Sequence, residues 1–162
     1  MDHFNTSVNV IGAELSGLIE EWFPILSGTE ESVLTGNVNR QNRNIKQIVG
    51  HMIDSASNNT HRIVHFQYRN SPLDFPDYAN LGMNDRWIAI QNYTDENWVN
   101  LLYLWKYIHF HFIHVISNAD ENNLEKIWIS ATGEKITMKE MILDFPRHFR
   151  LHIEEIKELI NK

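Results

Sequence analysis

A chain of 162 residues that is 43% hydrophobic and 22% charged, with eight Phe, five Trp and five Tyr, can bury one core, which excludes disorder and predicts a single domain over residues 1–162. Its formal charge of -7, with no clustered Lys or Arg, excludes a phosphate-backbone partner and so nucleic acid. With no cysteine there is no disulfide framework and no thiolate site, so any metal must be held by His, Asp or Glu, and a reducing, cytoplasmic home is favoured.

Residues 5–26 carry Val8, Val10, Ile11, Leu15, Leu18, Ile19, Trp22 and Phe23 at helical rather than strand spacing, which predicts a first helix. The start of the chain lacks the basic-then-apolar order of a signal peptide. No apolar run approaches the ~20 residues needed to span a bilayer, so no membrane partner is expected. Residues 27–43, rich in Ser, Thr, Asn and Gly, read as a connector. Over residues 44–68, Ile45, Ile48, Val49, Met52, Ile53, Ala56, Ile63 and Val64 form a second helical stripe.

Residues 69–93 hold Pro72, Pro76 and Gly82 together with Trp87, Ile88 and Ile90, the pattern of a long crossover that packs down with one short helix. Such a crossover allows neighbouring helices to run parallel. Thr94 is a candidate cap for a third helix reaching residue 117, with Asp95 and Glu96 favourable in its first turn. Around Gly133, residues 126–137 suit a short hairpin or an irregular loop. Thr137 and Glu140 form a Thr-x-x-Glu capping box that starts a fourth helix, running to about residue 160 and bent near Pro146. Four long helices without strand-rich regions or repeats give an all-α four-helix bundle.

Nine histidines are the compositional anomaly. His148 and His152 are one helical turn apart, with Cβ atoms ~6 Å apart. They share a seam with Met141, Phe145, Ile156 and Leu159, so both imidazoles should project inward, either to a metal or to hydrogen-bond partners in the core. On the second helix, His51 lies between Ile48 and Met52 beside a polar stripe of Gln47, Ser55 and Asn58, as expected of a lined cavity. A third imidazole from a facing helix would complete an all-nitrogen set suited to zinc, nickel, copper or iron, with positions left open for water or substrate.

His61 and His65 also form an i,i+4 pair, but His61 lies roughly 15 Å along the helix from His51, so the two cannot share an ion. Beside Arg62 and Arg69, this pair suits surface or capping roles. His109, His111 and His114 scatter around the third helix, where aromatic packing or solvation is the simpler role and His109 or His111 is a reserve ligand. His3 reads as terminal surface.

Gly-His-Met-Ile-Asp-Ser-Ala-Ser-Asn-Asn at residues 50–59 and Asp-Phe-Pro-Arg-His-Phe-Arg-Leu-His at residues 144–152 resemble the ligand segments of the DinB-like (DinB/YfiT-like) superfamily of metal-dependent enzymes. The intervening Trp87, Gln91, Tyr93 and the segment from Trp98 to Trp105 are similar to its crossover and third helix, so the likeness spans nearly the whole chain. The resemblance places His51, His148 and His152 at the three ligand positions. Leu151 departs from it, because many relatives carry another His there.

The resemblance implies a four-helix bundle with a long crossover between helices two and three, a homodimer, and one divalent ion, nickel or zinc foremost and iron next. It also implies a thiol-dependent S-transferase or isomerase acting on a low-molecular-weight thiol, and the chemistry of an open ion adds a small-molecule hydrolase. An open ion would acidify water for hydrolysis or bind a thiol as thiolate. Asp144, one turn before His148, is expected to orient an imidazole, and Ser55 and Asn58 to line the pocket. Glu140 is assigned to the capping box and Asp54 to a solvated helix face. The alternative is a noncatalytic binding or stress-response protein in which the metal only stabilises the helices.

Overall fold

The computed structural model describes the backbone of residues 2–162 and the side chains of residues 4–162. His3, read as terminal surface, has its side chain outside the described residues. The long helices are α1 (Asp2–Ser27), α3 (Ile45–Tyr68), α5 (Trp98–Ser117) and α6 (Met138–Ile160), with short helices α2 (Glu31–Gly36) and α4 (Met83–Gln91) between them. Strands β1 (Ile127–Ile129) and β2 (Lys135–Thr137) pair antiparallel, so of the two readings of this segment the hairpin is the one found.

The helix starts follow local hydrogen-bonding chemistry. Asn44 and Gln47 close a reciprocal capping box at α3, and Thr137 and Glu140 close one at α6, each satisfying first-turn N–H groups that have no partner within the helix. The α5 cap differs from expectation. Thr94 falls in a 3-10 turn, Tyr93–Asp95, and accepts from the Asn44 side chain at 3.1 Å. Asn97 takes the capping role by accepting from the Asn100 N–H. A second difference is α2 in the expected connector, held to the bundle by buried Leu34.

Helix α3 packs against α5 and α6, and α1 packs against the same two helices, so α1 and α3 lie diagonally across the bundle. The Asn44–Thr94 bond joins the N-terminal ends of α3 and α5, while Gln67 near the end of α3 accepts from the Asp120 N–H just past α5. These two helices therefore run parallel, as the 29 or so residues between them permit. Gln67 also approaches Met138 at the start of α6, so α6 runs antiparallel to α3. Leu15, Ile19, Phe66, Trp105, Phe112 and Phe149 are fully buried along the common axis.

The crossover is fastened at several places. Arg43 pairs with Asp85 of α4, Asp54 of α3 accepts from Gln91 at 2.8 Å and from the Tyr93 hydroxyl at 2.6 Å, and Leu73 bridges in parallel to Trp128 of β1. Asp54 is thus buried, contrary to the solvated role expected of it. Burial raises its pKa, opposed by the two hydrogen bonds. Gly50 admits this arrangement, since a Cβ there would overlap the Tyr93 ring. Among the described residues no helix is long and apolar enough to cross a membrane.

Candidate metal centre

Antiparallel α3 and α6 bring His51 and His152 to the same level, each roughly two turns from the same end of the bundle. His148 is one turn away on α6. The ring centroids are 4.8 Å apart for His51 and His152, 5.5 Å for His51 and His148, and 4.5 Å for His148 and His152. One nitrogen of each ring lies within 4.8 Å of the others. His51 and His152 are buried, whereas His148 is half-buried and opens onto a cavity.

Hydrogen bonding orients the rings. His152 Nδ1 is 2.8 Å from Glu155 Oε2, so its proton is assigned to Nδ1, and Nε2 presents a lone pair 3.1 Å from His148 Nε2. His51 Nδ1 is buried without a hydrogen-bond partner among the described residues. Burial, then the neighbouring His152 and His148, push the His51 pKa down to about 2. Burial and His152 push His148 down to about 3. Three imidazoles with converging nitrogens, His51 and His148 held unprotonated by burial and His51 with an unsatisfied buried nitrogen, fit a divalent transition metal, whose ligands must be deprotonated.

Beside the triad lies a cavity of about 890 Å³, within the range of small-molecule sites. Ser55 lines it, together with Asn59 one turn further along α3. Asn58 instead turns to donate to the Asp54 carbonyl at 2.9 Å. Asp144 borders the cavity, but its carboxylate is engaged by Arg147 at 2.5 and 2.7 Å rather than by an imidazole. Glu155, which the sequence reading missed, holds the orienting position. Its signal was available, since an acid three residues after a ligand shares its helix face.

Of the other histidines, His61 is exposed and His65 stands near Tyr68 and Phe75 at the far end of α3. His111 and His114 are exposed and stack on one another. His109 is buried, with Nδ1 2.6 Å from the Trp105 carbonyl and its ring edge-on to Phe149. Aromatic packing thus accounts for it.

No family model matches the sequence, and no curated protein matches it. Among solved structures the chain is similar to YfiT from Bacillus subtilis, described as "a probable metal-dependent hydrolase with an unusual four-helix bundle topology". The TM-score is 0.72 at 19% identity, over 98% of this chain and 84% of that one. This chain shares YfiT's fold. The bundle and long crossover implied by the DinB-like resemblance are therefore those found. At this identity the likeness is one of fold, and any chemistry must be argued from the site.

Proposed function

We propose that this chain is a divalent-metal-dependent enzyme of the DinB-like superfamily in which His51, His148 and His152 hold one ion, nickel or zinc foremost and iron next. The observation that carries the reading is a set of three converging imidazoles, two buried and one half-buried, one with an unsatisfied buried nitrogen, opening through His148 onto a cavity of small-molecule size. The description of YfiT as a metal-dependent hydrolase supports it. A divalent ion in this set would acidify a water or thiol reaching its open side.

The chain's own residues prepare that chemistry. Glu155 holds the His152 tautomer, the aromatic interior keeps His51 unprotonated, and Tyr78, with its ring 6.5 Å from that of His51, walls the inner cavity. Burial raises the Tyr78 hydroxyl to about 12, so it stays a neutral hydrogen-bonding group. Ser55 contributes a second hydroxyl to the same wall. Hydrolysis of a small molecule is the leading activity. S-transfer to a low-molecular-weight thiol is the second, favoured by a cavity roomy enough for a thiol and its acceptor together.

A homodimer in the cytoplasm completes the proposal. Val99, Tyr103 and Tyr107 recur every fourth residue as an exposed apolar stripe on α5, which a second copy would cover.

Protein purified without chelator or affinity resin is expected to carry stoichiometric metal by elemental analysis, and His51→Ala is expected to lose it. Absence of metal, together with unchanged divalent-ion binding in His51→Ala, rejects the site. His148→Ala should abolish turnover in a screen of hydrolysable substrates and thiol–electrophile pairs while retaining its circular dichroism. If it only lowers the melting temperature and no reaction is lost, the metal is structural and the protein noncatalytic.

A further inference from the structure

The cavity that begins at His148 ends on a buried cation without a counter-ion. Arg62 of α3 lines it and is only 4% exposed. Its guanidinium carbon lies 3.9 Å from the Trp128 ring centroid, with Phe75 at 5.5 Å and Tyr78 at 5.7 Å. The other buried cations of α3 and its approach are paired, Arg43 with Asp85 at 2.6 Å and Lys46 with Glu31 at 3.1 Å. Among the described residues no carboxylate lies within salt-bridge distance of Arg62. Its Nε is buried with no hydrogen-bond partner, and Nη2 has only a long 3.5 Å approach to the Pro76 carbonyl.

Asp77 acts on Arg62 through space, but its oxygens accept from the Ala79, Asn80 and Ala131 N–H groups. Burying a charge this deeply is costly unless it is paired, and stacking on Trp128 offsets only part of that cost. The guanidinium is a rigid planar fork of donors that suits a carboxylate, which it can hold through two parallel hydrogen bonds.

We infer that Arg62 is the specificity residue of this cavity and that the substrate carries a carboxylate, received by the Arg62 fork while its reacting group lies against the histidine triad. The Tyr78 ring spans the two ends, 6.5 Å from the His51 ring and 5.7 Å from the guanidinium carbon, which puts them within roughly 12 Å of each other, the scale of one elongated small molecule. Three acidic groups also border the cavity and do not close it to an anion. Asp144 is paired with Arg147, Glu140 accepts from the Thr137 cap, and Glu134 stands beside Lys135, which lines the same wall. The reacting end of this assignment rests on the metalloenzyme reading, whereas the anion site stands on Arg62 alone.

Trp128 supplies the reporter, because its indole N–H donates to the Phe75 carbonyl at 2.8 Å directly beneath the guanidinium. Metal-free protein in EDTA is titrated at constant ionic strength with glutarate, with its neutral diamide, and with a monoalkyl phosphate of similar length. The Trp128 indole resonance is followed by NMR and assigned with Trp128→Phe. Glutarate is expected to shift it saturably and to bind at least tenfold more tightly than the diamide. Arg62→Met should lose that preference, and Arg62→Lys, which keeps the charge without the fork, should retain part of it.

Equal binding of glutarate and diamide to the unmutated protein overturns the inference, even if Arg62→Met does not fold. Tighter binding of the phosphate overturns the carboxylate assignment. Elemental analysis of the same preparations as purified, before EDTA is added, separates the two readings. Failure of the triad shows as missing metal with the glutarate preference intact, and failure of the anion site as bound metal with that preference absent.

Discussion

A buried imidazole must stay neutral, and His109 carries that requirement outside the metal centre. Its one hydrogen bond among the described residues is from Nδ1 to the Trp105 carbonyl, and aromatic rings surround it, so burial pushes its pKa down to about 4 while the hydrogen bond acts in the opposite sense. In the unfolded chain the same ring takes up a proton near its ordinary value of about 6.5. The unfolded state therefore binds more protons between those values, and stability falls as pH drops from about 6.5 towards 4 and levels off below. The shift corresponds to a loss on the order of 3 kcal/mol. The stability lost between pH 7 and pH 4.5 in urea unfolding should be smaller in His109→Leu than in the unmutated protein by about that amount, the rest of the loss coming from His51 and His148. Parallel losses in both would assign the acid sensitivity to other groups.

Among the elements, the helices were readable because each buries one stripe: the periodic apolar positions of α3 and α6 became core faces, except for Val64, which is exposed, and Thr137 and Glu140 closed the box they were expected to close. Less readable were features decided by contacts between distant segments. Thr94 has the right chemistry for a cap, yet tertiary pairing with Asn44 draws it away and leaves the role to Asn97. Asp54 looks like a surface acid until Tyr93 and Gln91 arrive from the crossover. Within the site, i,i+4 spacing gave His148 and His152, but only the DinB-like resemblance brought His51 to them, because no local pattern encodes which helix faces which. Arg62 was hidden for the same reason, since Trp128 and Phe75 come from segments far away in sequence.

Gly50 tests how tightly α3 and the crossover are matched. Ala is the better helix former, and on propensity alone Gly50→Ala would stabilise α3 by about 1 kcal/mol. Its methyl would instead collide with the Tyr93 ring, whose hydroxyl is tied to Asp54. The expected net effect is destabilisation by roughly 1–3 kcal/mol, the usual cost of overpacking a fitted interior. Chemical denaturation of Gly50→Ala, and of Gly50→Ala combined with Tyr93→Ala, checks this, because removing the ring should make the added methyl harmless. A penalty that persists without Tyr93 would place the strain elsewhere.

At the scale of the whole molecule, the triad joins helices that are otherwise held mainly by packing, with the Gln67–Met138 hydrogen bond at their far ends. His51 comes from α3, while His148 and His152 come from α6, so an ion shared by all three would cross-link the second and fourth long helices at the end where the crossover also docks. The unfolded chain has no such preformed set, and binding free energy therefore becomes folding free energy. At free metal a hundredfold above the dissociation constant, one site stabilises by about 2.7 kcal/mol. For a domain of this size each kcal/mol moves the midpoint by roughly 2–4 °C. Calorimetry of metal-free protein titrated with zinc or nickel should accordingly show a melting temperature rising by roughly 5–10 °C and reversing with chelator. In His51→Ala the remaining pair lies on α6 alone, spans no interface and should give little of that rise. An equal rise in His51→Ala would mean that the ion binds within one helix or at a different place on the bundle, and the cross-link between α3 and α6 would be rejected.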